Sequence, residues 1–213
     1  MEKNKKFKFL VIFVVIIIFS YSLYYFNTKN VHNNQGSNNR TIIDITNDPF
    51  IGNINANIII VEFSDFQCPY CGRFYKEVFP KIYEDYIEPG KAKFVYKNFP
   101  LSIHQYSKVA AEAGLCANEQ EKFWDYGDKL FNNQNVLDIN SLKKYASDIG
   151  LDTKKFNECL DFGKMSSEVQ KDINEAVSYN VKGTPTIFIN GIKLVGVQPI
   201  DSYIKIIEDE LNE

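Results

Sequence analysis

From Phe9 to Phe26 the chain is continuously apolar and aromatic, softened only by Ser20 and Ser22. A run of about 18 residues reaches the lower end of what spans a bilayer. The next stretch, 27–40 (NTKNVHNNQGSNNR), is polar and Asn-rich, has almost nothing to bury, and predicts a flexible linker. Beyond it, over 41–213, the pattern is that of a globular domain. Asn57–Phe63 (NIIIVEF) is dense in β-branched residues and predicts a buried strand. Phe74, Val78, Ile82 and Tyr86 then recur at helical spacing across 69–86, with Pro80 expected to bend or interrupt the helix. Glu88-Pro89-Gly90-Lys91 reads as a turn and Lys93–Phe99 as a second strand, so strand, helix and strand make one parallel crossover unit.

Between about 102 and 180 the period is helical, with segments at 108–117, 121–131, 141–149, 153–160 and 165–179 and breaks at 132–135 and Gly150. Strands return at Thr186–Ile189 and Lys193–Val197 around Asn190-Gly191, a strong hairpin signal. Ile200–Leu211 closes the chain as an amphipathic helix with Tyr203, Ile204, Ile207 and Leu211 along one face. The order is βαβ, a helical block, then ββα: an α/β domain interrupted by an all-helical subdomain.

Charge gives the apolar run its meaning. Lys3, Lys5, Lys6 and Lys8 crowd segment 1–8, whereas only Lys29 closely follows the run. The positive-inside rule keeps the N-terminus cytoplasmic and sends the domain outside, where disulfides persist. A cleaved signal peptide is the alternative, but the run ends in bulky Tyr24, Tyr25 and Phe26 with no small-residue cleavage pattern. An uncleaved signal anchor over 9–26 is therefore expected, with Tyr21, Tyr24 and Tyr25 at the membrane–water interface. The net charge of −3 offers nothing to nucleic acid, and the 17 Phe and 13 Tyr are read as core. His32, in the linker, is read as solvated.

The chemistry gathers in Phe63–Tyr75, FSDFQCPYCGRFY, where Cys68 and Cys71 flank Pro69-Tyr70 at a strand-to-helix junction. Paired thiols there serve as metal ligands, a staple or a redox centre. A structural metal site needs four ligands, but Cys116 and Cys159 are far apart and the chain has two histidines, one in the linker. A Cys68–Cys71 staple closes too small a loop to remove much chain entropy. The redox reading has a mechanism. Pro69 suits the first helical position, so unpaired N–H groups with partial positive charge surround Cys68. They favour its thiolate, the attacking species in disulfide exchange, and lower its pKa below the usual value of about 8.5. Cys71, one turn on, is placed to resolve the mixed disulfide. Glu62 lies in the otherwise apolar first strand. On a central strand it is a buried acid that relays the Cys71 proton, with Lys97 of the second strand as its charge partner; on an edge strand it points to solvent. Pro185 opens a strand after Gly183-Thr184.

Val61–Cys71 (VEFSDFQCPYC), the helical block and Gly183–Gly191 (GTPTIFING) together resemble the thioredoxin superfamily, in its DsbA-like branch, from about Asp48 to the C-terminus. The resemblance implies a thioredoxin fold with an inserted all-helical subdomain and thiol–disulfide exchange on proteins outside the cytoplasm. It implies no cofactor beyond the Cys68–Cys71 disulfide and no metal. Pro185 is implied to be cis and to lie against the CxxC, with Thr184, Pro69 and Tyr70 meeting the substrate and Glu62 as the buried acid. Cys116 and Cys159 are implied to form a structural disulfide pinning two helices, contributing roughly 3–4 kcal/mol through chain entropy; two free buried thiols are the alternative. The implied partners are unfolded or partly folded exported proteins and a quinone-linked membrane thiol oxidase, DsbB- or VKOR-like, that reoxidises the pair. Pro69-Tyr70 departs from the Pro-His of strongly oxidising DsbA proteins, and Tyr70 adds no positive charge beside Cys68, which implies weaker oxidising power. The competing functions are a reductase or isomerase of the same fold, a binding module or holdase with a remnant CxxC, and metal capture by thiolates. Intact Cys68, Cys71, Glu62 and Pro185 oppose the remnant. His104, in PLSIHQY, is expected to open the following helix rather than line a groove.

Overall fold

The computed structural model describes residues 20–22 and 40–213, so the expected basic segment, most of the 9–26 span and nearly all of the linker lie outside the described residues. Among the described residues no helix is long and apolar enough to cross a membrane. Thr41–Glu213 forms one compact unit.

β-Branched Ile58, Ile59, Ile60 and Val61 dominate β2 (Ile58–Ser64), and the sheet is built around it. β3 (Ala92–Asn98) pairs with β2 in parallel and β4 (Thr186–Ile189) pairs with it antiparallel. Outside these lie β1 (Phe50–Gly52), antiparallel to β3, and β5 (Ile192–Val195), antiparallel to β4, giving the order β1-β3-β2-β4-β5. β1 is too short for periodicity to reveal. Asn190 and Gly191, both at positive φ, turn β4 into β5 as the Asn-Gly pair predicts.

The helix expected over 69–86 is interrupted where Pro80 demands it. α1 (Pro69–Glu77) stops at Val78, and α2 (Phe79–Ile82) starts afresh with Pro80 in its first turn, where a missing N–H costs nothing. α2 runs into a wider π turn, Tyr83–Ile87. Five helices separate β3 from β4: α3 (Ser107–Asn118), α4 (Phe123–Asn132), α5 (Ile139–Asp148), α6 (Thr153–Asp161) and α7 (Ser166–Ser178). Asp138 and Asp152 cap α5 and α6 by accepting from the first free N–H groups. Cys116 of α3 is bonded to Cys159 of α6, 43 residues apart. α8 (Ile200–Leu211) closes the chain.

Alternation along β2 divides the core. Ile58 and Ile60 join Phe94, Ile187 and Ile189 against Phe74 of α1, Ile82 of α2, and Tyr203 and Ile207 of α8. Val61 and Phe63 face the other way, packing with Val95 and Phe188 against Ala176 of α7 and Val181 beyond it. The helical subdomain has its own core, which includes Tyr126, Leu130, Leu142 and Phe156. Phe66, in the loop between β2 and α1, reaches into that core and packs against Tyr96, Phe123 and Phe131.

Candidate active site

β2 ends at Ser64, and four residues later Cys68 takes the N-cap position of α1 in an extended conformation, with Pro69 opening the helix. The turn between them is held from several sides. Cys68 N–H donates to the Asp65 carbonyl at 3.0 Å, and Gln67 N–H donates to Asp65 Oδ1 at 2.8 Å. Asp65 Oδ2 accepts from Leu101 N–H at 3.0 Å and lies 2.7 Å from His104 Nδ1. Gln67 Oε1 accepts from Tyr106 N–H. His104 thus sits just before α3 and ties its approach to the cysteine turn. From the helical subdomain, Gln134 Nε2 donates to the carbonyls of Phe66 and Cys68 at 2.9 and 2.8 Å. Gly72 makes room for it: a Cβ there would collide with Gln134 Oε1. Asp65, Gln67 and Gln134 escaped the sequence reading. Asp65 and Gln67 adjoin the CxxC, but their roles depend on loops that only the fold brings near, and Gln134 carried no signal.

Cys68 is 3% exposed and Cys71 is fully buried one turn below it; both are free thiols. The Thr184–Pro185 peptide bond is cis and faces Cys68, whose thiol donates to the Thr184 carbonyl at 3.5 Å. The Cys68 pKa is lowered from 9.0 to about 5. The largest cause is a hydrogen bond from the Cys71 thiol, outweighing the opposing effect of burial; the Thr184 hydroxyl and the Cys71 and Tyr70 backbone N–H groups add to it. The helix-end N–H groups expected from sequence therefore contribute, after a neighbouring thiol. Tyr70 acts through its backbone, and its ring is 61% exposed. Cys71 moves the opposite way: burial raises its pKa well above the ordinary value, reinforced by Cys68 and Glu62.

Glu62, 3% exposed, lies on the central strand, which removes the edge-strand alternative. Burial raises its pKa to about 8. The Lys97 partnership is corrected. In the parallel register Lys97 stands opposite Phe63, while Glu62 stands opposite Tyr96, so Lys97 points to the other face of the sheet. There its ammonium lies 2.7 Å from both Asp48 and Glu175 and 3.5 Å from Asp172. Strand adjacency fixes the neighbour, and strand parity fixes the face.

A thioredoxin family model matches residues 44–209. Among curated proteins the chain is 33% identical over 161 residues to the Na(+)/H(+) antiporter NhaA 3 of Salinispora tropica, covering 75% of this chain but only 24% of the antiporter. The chain thus spans about a quarter of the length of that relative. It is 32% identical over 178 residues to disulfide bond formation protein D of Bacillus subtilis, covering 78% of each. The crystal structure of oxidised BdbD from Bacillus subtilis superposes with a TM-score of 0.75 at 30% identity, covering 82% of this chain and 98% of that one. Fold, paired cysteines and similarity agree: the chain belongs to the thioredoxin family, among its DsbA-like thiol:disulfide oxidoreductases.

Proposed function

We propose that this chain is an extracytoplasmic oxidase that donates the Cys68–Cys71 disulfide to unfolded or partly folded exported proteins. The observation that carries the reading is the asymmetry of the pair: Cys68 lowered to about 5 and Cys71 raised by burial. A stabilised Cys68 thiolate favours the reduced form of the enzyme, and so makes its disulfide oxidising. In the first step a substrate thiolate attacks Cys68 Sγ, the Cys68–Cys71 bond breaks, and Cys71 leaves with the electron pair. Cys71 takes a proton, because its buried anion is unfavourable. Glu62 supplies it, being mostly protonated at neutral pH. A second substrate thiolate then attacks the substrate sulfur of the mixed disulfide and expels Cys68 as the stable thiolate. The substrate has gained a disulfide and the enzyme is a dithiol. Thr184, cis Pro185, Pro69 and exposed Tyr70 present the surface that the substrate chain meets.

A quinone-linked membrane thiol oxidase, DsbB- or VKOR-like, closes the cycle, and the 9–26 span anchors the domain beside it with residues 1–8 in the cytoplasm. The apolar run, its lysine asymmetry and the likeness to a disulfide bond formation protein support this placement. Cysteine labelling of intact cells tests it: once a membrane-impermeant reductant has opened the Cys68–Cys71 disulfide, Cys68 should react with a membrane-impermeant thiol reagent without lysis.

The activity is tested with a reduced, unfolded protein containing several cysteines, incubated with the oxidised enzyme while free thiols are counted. Wild type should consume them stoichiometrically and Cys68→Ala should consume none. Faster reduction of insulin than oxidation of the test protein would reverse the direction of electron flow. Failure of both assays would leave a binding module.

A further inference from the structure

The proton step above leaves a gap in the wiring between Glu62 and Cys71, and two polar side chains beside it, Ser64 and Tyr96, are unassigned. Glu62 Oε1, Ser64 Oγ and Tyr96 Oη are all buried and have no hydrogen-bond partner. They converge for a reason written in the strands. Glu62 and Ser64 are two residues apart on β2 and share a face, and Tyr96 is the register partner of Glu62 on β3. Phe74 of α1 packs over that face, and Cys71 of the same helix is close enough to feel the Glu62 charge. The Ser64 hydroxyl lies within the electrostatic reach of a hydrogen bond to Glu62, to Cys71 and to Tyr96, yet closes a full one with none. Buried hydroxyls without partners are uncommon, because each costs about 1–3 kcal/mol. A hydroxyl between an acid and a sulfur can accept a proton on one side while donating on the other.

We propose that the Ser64 hydroxyl passes the proton between Glu62 and Cys71, with Tyr96 Oη holding Ser64 in position. This rests on the oxidoreductase reading and adds the path. As the Cys68–Cys71 bond breaks, the Cys71 sulfur takes the Ser64 hydroxyl proton while Ser64 Oγ takes the Glu62 proton. The products are a Cys71 thiol, a Glu62 carboxylate and an unchanged serine with its hydroxyl rotated. Glu62 then recovers a proton from solvent; it lines an aromatic-walled cavity of about 20 Å³ with Tyr96, Phe74, Trp124, Tyr75 and Asp128. At that cavity the Tyr75 hydroxyl donates to Asp128, an exposed carboxylate. The groups that face Glu62 electrostatically are Cys68, Cys71, Tyr96 and Tyr203, with no cation among them, so the acid remains the local proton store.

The experiment is a double-mutant cycle on single-turnover reduction of the oxidised full-length protein by reduced glutathione, quenched with acid and resolved by mass, in H₂O and D₂O. Ser64→Ala should slow cleavage roughly a hundredfold or more at pH 7, the usual range for a lost proton-transfer group, and abolish the solvent isotope effect. Glu62→Gln should slow it at least as much. Because the two groups act in series, the double variant should be no slower than Glu62→Gln alone. Tyr96→Phe should slow cleavage less than Ser64→Ala and shift the infrared carboxyl band of Glu62. If Glu62→Gln is slow but Ser64→Ala matches wild type, or if the two effects multiply, the Ser64 path is wrong and the Glu62 reading survives. If neither variant is slow, both are wrong. Should Ser64→Ala not fold, Tyr96→Phe with an unshifted carboxyl band would overturn the proposal by itself.

Discussion

Glu62 and Lys97 sit on adjacent strands, both almost completely buried, on opposite faces of one sheet, and the molecule treats them in opposite ways. Lys97 is surrounded by three carboxylates, Asp48, Asp172 and Glu175, on a face covered by α7. Burial pulls its pKa down, but its contacts with Asp48 and Glu175 more than offset that, and it stays charged. Among the described residues no cation pairs with Glu62, and burial leaves it mostly protonated at neutral pH. One face satisfies a buried charge and so ties Asp48, just before β1, to Lys97 of β3. The other leaves a titratable group unsatisfied beside Cys71. A buried ionisable group that the fold could have paired and did not is where proton chemistry belongs.

The contrast can be broken by mutation. Lys97→Met should have the largest effect on stability, roughly 3–5 kcal/mol lost in urea unfolding, because it strands three carboxylates. It should leave the pH midpoint of Cys68 alkylation unchanged; a shifted midpoint would mean that the faces communicate. Glu62→Leu should act in the opposite direction. Its folded pKa of about 8 exceeds the ordinary 4.5, so wild type loses stability as pH rises from about 4.5 to 8. The stability of Glu62→Leu relative to wild type should therefore increase by about 3 kcal/mol between pH 4 and pH 7. No change across that range would show the acid to be solvated. Asp48→Asn should be the mildest, within about 1 kcal/mol at pH 7. Burial raises Asp48 to about 6, so losing its charge offsets the loss of its contact with Lys97. A loss as large as that of Lys97→Met would mean that the cluster needs all three carboxylates.

Much of this was legible in the chain because local pattern and tertiary role coincide there. The β-branched run places β2, Pro69 and Cys68 mark the start of α1, Pro80 marks its break, and Asn190-Gly191 marks the hairpin. A carboxylate inside an apolar strand announced Glu62. What was not legible depends on three-dimensional approach. The sequence points Lys97 to the wrong partner because adjacency of strands does not reveal register, and one residue of register exchanges the faces. Gln134 joins the cysteine turn from 66 residues away, a distance that no local pattern encodes. Ser64 was within reach, since it lies two residues after Glu62 on a strand, but a serine at a strand end also reads as the start of a loop.

The central claim is that the fold makes Cys68 a stable thiolate beside a protonated Cys71. The most direct test follows the rate of Cys68 alkylation by iodoacetamide in the reduced protein from pH 3 to 10, with Cys71 changed to Ala in a parallel sample. The midpoint should lie near 5 in wild type and move upward when the Cys71 thiol is removed, since that hydrogen bond is the largest stabilising cause. A wild-type midpoint near 9, the ordinary value for a thiol, would contradict it.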